Sequence, residues 1–419
     1  MMPTGQAKRT TAHDPPGNCR AEIELLLCCA RTDVGAAVAS RIRALARSEI
    51  DWDRLRVVAF AQGVGPLVGR TLRQTCPDGV PERVLEEWQS RAHASARRGF
   101  LLTGHLLRLL TSFRTAGLRV IPFKGPTLAM LAYGDLALRP FADIDVLVHK
   151  RDVAQAMTLL DALGYRPRRR HPWEAEFQDA GGTSVDLHWA IAPSYDPIPQ
   201  TFDQLWARVV PVTLLGAEVA TLAPDDLLLV LGIQLAKDSR ELRQRLLQLC
   251  DTSELLRSHP ELDWDHVFEG ARAAGGERIL LLDLLLVHDL LDGPVPEAVL
   301  RVAQDNRPLR ALAREFEARM FQPGDHRHRR ASDPGLRSEG AALYVRARER
   351  LRDKIRFFGL RARDRIGLAV HPTRSDREFF PLPPRLGFLY YLVRPVRVLS
   401  RWVRTGRIGS DTRHNVTPS

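Results

Sequence analysis

The chain has 419 residues, 44% apolar and 26% charged, which is the balance of a globular protein and not of a collagen, a disordered chain or a disulfide framework. Its cysteines (Cys19, Cys28, Cys29, Cys76 and Cys250) are scattered, odd in number and free of any CxxC pair, which argues against a secreted scaffold or a structural zinc site and for a reducing, cytoplasmic setting. The net charge of +11 belongs to the tail: residues 341–419 hold 18 basic and 6 acidic residues, while the first 340 hold 43 and 44, so the body is neutral and carries no nucleic-acid signature.

Residues 1–20 read as a polar, disordered leader without the apolar stretch of a signal peptide. Residues 21–117 form an N-terminal helical region. Its apolar residues recur at helical spacing, as in Leu101, Leu102, Leu106, Leu109 and Leu110. The pattern then changes. Leu118 to Phe123 reads as a strand, with Pro122 marking an edge or an end. Lys124-Gly125-Pro126 breaks it and opens a helix, Pro126 standing near the first turn. Asp143 to Val148 is a second strand, Asp152 to Leu163 a helix closed by Gly164, and Thr183 to Trp189 a third strand. Residues 118–221 are therefore a small α/β core inside an otherwise helical chain, an α+β architecture. Helices return over 222–320. The most apolar, Ile279 to Leu291, is too short to span a bilayer and contains Asp283 and His288, so it reads as buried. A polar linker over 321–340 precedes the basic tail, 341–419.

Asp143 and Asp145 are two apart on one strand, so both carboxylates share a face while Ile144, Val146 and Val148 face a core. Side-by-side carboxylates repel unless a cation lies between them. Hard divalent ions take such oxygen ligands and share them with substrate phosphates. Asp186 is a third acid, again between apolar neighbours. If its strand lies beside the first acid strand, three carboxylates converge, as two-metal phosphoryl transfer requires. Upstream, the strand–Lys124-Gly125–helix arrangement offers backbone N–H groups and a point charge to a phosphate. Taken singly, each feature has a structural explanation: an acid that caps a turn, a lysine in solvent. Their order along the chain is what makes the pattern specific.

These residues resemble a known family. Lys124-Gly125, Tyr133-Gly134-Asp135, Arg139-Pro140, Asp143-Ile144-Asp145-Val146-Leu147-Val148 and Gly164-Tyr165 are similar to the uncharacterised bacterial nucleotidyltransferases of the DNA polymerase β-type superfamily. Ile50-Asp51-Trp52, Leu222 to Leu228 and Cys250-Asp251 extend the resemblance over about residues 20–300. It implies a nucleotidyltransferase core with Asp143, Asp145 and Asp186 as ligands of Mg²⁺ (or Mn²⁺), and NTP as substrate with an unidentified acceptor. Two departures stand out. Pro126 follows the turn glycine where the wider superfamily has a serine, leaving Thr127 as the nearest hydroxyl. Gln234, Lys237 and Asp238 occupy a helix where relatives often carry histidines.

Arg139 fits either a triphosphate or a salt bridge with a nearby acid. His188, on the strand face of Asp186, reads as a hydrogen-bonded strand histidine or as a group behind the ligands. His326, His328 and His371 lie among arginines in basic, solvated chain. In the tail, Leu392, Val396, Leu399 and Val403 oppose Arg394, Arg397, Arg401 and Arg404 around a short helix. Residues 388–404 therefore suit either packing on the body or an anionic membrane surface, which would make the chain peripheral at the inner membrane face. No RNA-binding motif is present. The sequence carries two functional expectations: metal-dependent nucleotidyl transfer with pyrophosphate release, and a nucleotidyltransferase-like partner or regulatory subunit without turnover.

Overall fold

The computed structural model describes residues 20–192, 200–240, 245–321, 334–359 and 389–390. The leader apart from Arg20, which opens the first helix, the histidines 326, 328 and 371, and the amphipathic segment apart from Leu389 and Tyr390 lie outside them. Five helices come first: α1 (Arg20–Cys29), α2 (Ala36–Ala46), α3 (Trp52–Ala61), α4 (Gly65–Thr75) and α5 (Glu82–Thr115). The core follows as β1 (Val120–Pro122), α6 (Pro126–Tyr133), β2 (Asp143–Val148), α7 (Val153–Ala162), β3 (Arg166–Arg170), β4 (Glu174–Gln178), β5 (Ser184–His188), α8 (Phe202–Trp206), β6 (Val210–Leu214) and β7 (Ala217–Thr221). Helices α9 (Pro224–Arg240), α10 (Leu246–Ser258), α11 (Trp264–Ala274), α12 (Glu277–Leu291), α13 (Glu297–Asp305) and α14 (Arg307–Met320) complete the body. Helix α15 (Pro334–Ala347) begins inside the stretch that composition reads as linker, with Pro334 at its first position, where a missing N–H costs no bond. A further helical segment, α16, covers 351–359.

Local chemistry sets the ends of these elements. Asp51 caps α3 by accepting from the Arg54 N–H at 2.9 Å, and Asp263 caps α11 by accepting from the His266 N–H at 3.0 Å. Helix α5 runs 34 residues, about 51 Å at 1.5 Å per residue. Its N-terminal half buries Val84 and Trp88 among the N-terminal helices. Its C-terminal half lays Leu102, Leu106, Leu109 and Phe113 against the sheet. One helix therefore joins the two hydrophobic cores.

The main sheet has the order β1-β2-β5-β4-β3. Strands β2 and β5 are parallel and the other pairs are antiparallel. Alternation gives the sheet two unlike faces. Ile144, Val146, Val148, Val185, Leu187, Ala175 and Phe177 fill a core with α5 and α7. The opposite face carries Asp143, Asp145, Asp186, His188, Glu174 and Glu176. Pro122 ends β1, an edge strand, as its missing N–H requires. Strands β6 and β7 make a separate hairpin. Its turn has positive φ at both Leu215 (50°) and Gly216 (83°), the tight turn whose twist suits a two-residue hairpin. The hairpin is tied to the sheet by the Thr221 hydroxyl, which donates to the Pro122 carbonyl at 2.6 Å.

Candidate metal and nucleotide site

Strand adjacency builds the site. In the β2–β5 register Asp145 lies opposite Asp186, and Asp143 opposite Ser184. On the other side of β5, Glu176 lies opposite Asp186 and Glu174 opposite His188. Donor atoms of Asp145, Asp186 and His188 all fall within 4.8 Å of one another, a set that can hold a metal ion. Asp143 shares their face one step along β2.

The electrostatics are those of concentrated negative charge. Burial and the neighbouring acids Asp145, Asp143, Glu174 and Glu176 push the Asp186 carboxyl up to about 8. Burial and Asp145 raise Asp143 as well. Asp145 goes the other way. Burial would lift it, but Lys124 and His188 hold it well below the usual carboxylate range. Lys124 Nζ sits 3.4 Å from Asp145 Oδ1 and 3.3 Å from Gln234 Oε1. Burial would lower its pKa, yet Asp145, Asp143 and Asp238 raise it. His188 Nε2 donates to Asp145 Oδ1 at 3.1 Å. Its Nδ1 is buried 3.3 Å from Glu174 Oε2, outside hydrogen-bonding geometry. The face thus holds more carboxylates than its own cations balance, and the donor set suits a hard divalent ion.

The Lys124-Gly125 turn lies at the start of α6. Gly125 has φ 53° and ψ −121°, a conformation closed to other residues at ordinary cost, and a Cβ there would stand 3.3 Å from the Asp143 carbonyl. The glycine lets the turn run directly against the acid strand. Thr127 is fully buried, and its hydroxyl donates to the Lys124 carbonyl at 3.0 Å, fastening the turn. Arg139 is buried and grips Asp251 of α10 with two bonds, Nε to Oδ1 at 2.6 Å and an Nη to Oδ2 at 2.8 Å. Tyr133 donates to the same carboxylate at 2.8 Å. The structure gives Arg139 the salt-bridge partner that the sequence left as one of two options.

Several participants were missed in the sequence. Glu174 and Glu176 carry the same period-two signal as Asp143 and Asp145, in Glu174-Ala175-Glu176-Phe177-Gln178. Asp251 carries no sequence signal of its own beyond the Cys250-Asp251 pair of the resemblance. On α9, Gln234 Nε2 donates to Asp238 Oδ2 at 3.0 Å, and Gln248 donates to the same oxygen at 2.5 Å. The polar stretch Gln234 to Asp238 therefore reaches the acid face through Lys124.

A family model described as an uncharacterised nucleotidyltransferase matches residues 48–292. Two solved structures are similar at low identity. One is the lincosamide antibiotic adenylyltransferase LnuA bound to lincomycin, at 16% identity and a TM-score of 0.24, over 30% of this chain and 82% of that one. The other is an antigenic nucleotidyltransferase-like protein from Paracoccidioides brasiliensis, at 16% identity and a TM-score of 0.31, over 48% of this chain and 96% of that one. No curated protein matches the chain.

Proposed function

The chain belongs to the uncharacterised nucleotidyltransferase family, and we propose that it moves a nucleoside monophosphate from an NTP to an acceptor hydroxyl. The observation that carries this reading is the register of Asp145 against Asp186 on parallel neighbours, with the Lys124-Gly125 turn beside them. Asp143, Asp145 and Asp186 would hold Mg²⁺ or Mn²⁺, with His188 fixing the Asp145 carboxylate. When bound, the cation supplies charge neutralisation for the triphosphate and for the leaving pyrophosphate. Lys124 contributes a positive charge at the same carboxylates, and the Gly125 backbone lets phosphate approach the start of α6. The acceptor oxygen bonds to the α-phosphorus as the α–β bridging bond breaks. Pyrophosphate leaves with the electron pair, and the hydroxyl proton passes to a carboxylate of the acid face.

Arg139 serves as the tie between the core and α10, and Thr127 as the fastener of the turn. A second reading, a partner subunit without turnover, is favoured by Pro126, which removes an N–H at the start of α6. Among the described residues no helix is long and apolar enough to cross a membrane.

The test is thermal stability with each NTP, with and without Mg²⁺, for wild type and Asp143→Asn/Asp145→Asn. Ligand at 100 times Kd adds about 2.7 kcal/mol to the native state. A metal-dependent rise in wild type that vanishes in the double variant is expected. No rise with any NTP would overturn the reading. A rise without pyrophosphate release in an acceptor screen would favour the second.

A further inference from the structure

The nucleotidyl-transfer reading leaves the acceptor open, and strand β3 bears on it. All five of its residues are exposed, and four are arginines: Arg166, Arg168, Arg169 and Arg170. It is the outermost strand of the sheet, on the far side of β5 and β4 from Asp145. Arg166 pairs with Gln178 and Arg169 with Glu176, with a bulge between Pro167 and Arg169. Gln178 and Glu176 are two residues apart on β4, while their partners are three apart on β3. The extra residue resets the alternation, so Arg166 and Arg169 both share the face of Glu176, Asp186 and Asp145. Bulges re-aim side chains in this way. The result is one row straight across the sheet: Asp145, Asp186, Glu176, Arg169.

At about 4.8 Å per strand, the Arg169 backbone lies about 10 Å from that of Asp186 and about 14 Å from that of Asp145. Glu176 faces Arg169 in register, yet among the described residues no carboxylate forms an ion pair with Arg169 or Arg168. Arg166 bonds Asp161 and stays largely exposed. Arg170 lies over the Trp189 ring, 6.0 Å from its centroid. Charged side chains do protect sheet edges from pairing. Edge protection, however, needs neither the bulge nor two arginines on the acid face.

We propose that the acceptor carries a phosphate group about 10 Å from the hydroxyl that is nucleotidylated, and that Arg169, with Arg166, holds that phosphate. The forked N–H donors of two guanidiniums suit the oxygens of a phosphate. The acceptor would lie along the row, its hydroxyl at the carboxylates and its phosphate at the edge strand. This rests on the reading of Asp145 and Asp186 as the reaction centre, and the two are tested separately.

The experiment uses the full chain saturated with Mg²⁺ and a non-hydrolysable ATP analogue, so that the nucleotide site is filled. Inorganic phosphate is then titrated and followed by ³¹P NMR line broadening, with acetate, followed by the broadening of its ¹H methyl signal, as the monoanion comparison. Wild type should bind phosphate at least tenfold more tightly than acetate. Arg166→Gln/Arg169→Gln should weaken phosphate at least tenfold while leaving analogue affinity within twofold. Arg166→Lys/Arg169→Lys should recover part of the loss, showing that charge and not fold was removed. Equal phosphate binding by wild type and the Gln variant overturns the proposal, as does acetate binding as tightly as phosphate. Failure of the analogue to bind wild type overturns the nucleotidyl-transfer reading instead, and the phosphate titration still decides the arginine site.

Discussion

Removing Asp251 is the sharpest perturbation of the Arg139 tie. The Asp251 carboxylate accepts two bonds from Arg139 and one from Tyr133, and all three side chains are buried. It keeps the Arg139 guanidinium charged despite burial. Asp251→Ala leaves that charge without a partner, which costs about 3–5 kcal/mol. The orphaned Tyr133 hydroxyl adds roughly 1 kcal/mol. At about 2 °C per kcal/mol for a chain of this size, the melting temperature should fall by roughly 8–12 °C. Arg139→Met/Asp251→Leu removes both charges and fills the space with apolar atoms. It should melt well above Asp251→Ala, because replacing a buried pair together is close to neutral. Differential scanning calorimetry on wild type, both single variants and the double variant gives the coupling energy. The same double variant should bind Mg²⁺ and NTP as wild type does. If Asp251→Ala melts within 1–2 °C of wild type, or the double variant is no better than the single, the buried-charge argument fails. A double variant that folds normally but loses NTP would make Arg139 a triphosphate ligand.

Three further outcomes follow from the same structure. Lys124→Met removes the cation that lies against Asp145, so the metal alone should bind at least about tenfold more tightly while NTP binds more weakly, as read by calorimetric titration. Gly125→Ala forces a side chain into φ 53° and against the Asp143 carbonyl, and should cost about 1–3 kcal/mol in urea unfolding together with NTP binding. Asp283 is buried in α12, where burial pushes its carboxyl up to about 7 against the pull of the Thr252 hydroxyl bond. Its native form therefore holds a proton that the unfolded chain has already released, so stability falls as pH rises from about 4 to about 7 and is level above. Asp283→Asn lacks that fall, and its stability relative to wild type should improve by about 3 kcal/mol between pH 5 and pH 8.

The three strands that the sequence shows, β1, β2 and β5, have apolar residues packed on one or both faces. Strand β2 has the bounds that its pattern gives, Asp143 to Val148. Strands β3, β6 and β7 escape for different reasons. Strand β3 is exposed along its whole length, so no hydrophobic periodicity marks it, and pairing with β4 makes it a strand. The β6–β7 turn is written Leu215-Gly216, and leucine at positive φ is not a turn signal any composition rule would flag. Strand β4 was legible in principle. Glu174, Glu176 and Gln178 alternate with the buried Ala175 and Phe177 as clearly as the aspartates of β2 do with their neighbours.

Spacing along a strand says which side chains share a face. It does not say which strands are neighbours. Strands β2 and β5 are parallel, so the chain must cross over between them, and it does so through α7 and the β3–β4 hairpin. That crossover has two consequences for the site. It seats Asp186 opposite Asp145, which no reading of either strand alone could fix. It also places the hairpin on the open side of β5, so the residues that continue the acid row outward are Glu176 and then Arg169. The connection that completes the carboxylate set thus also supplies the basic edge beside it. The same logic explains Arg139. Its two readings differ only in whether an acid from a distant element reaches it, and Asp251, 112 residues on, is brought there by the packing of α10 against α6.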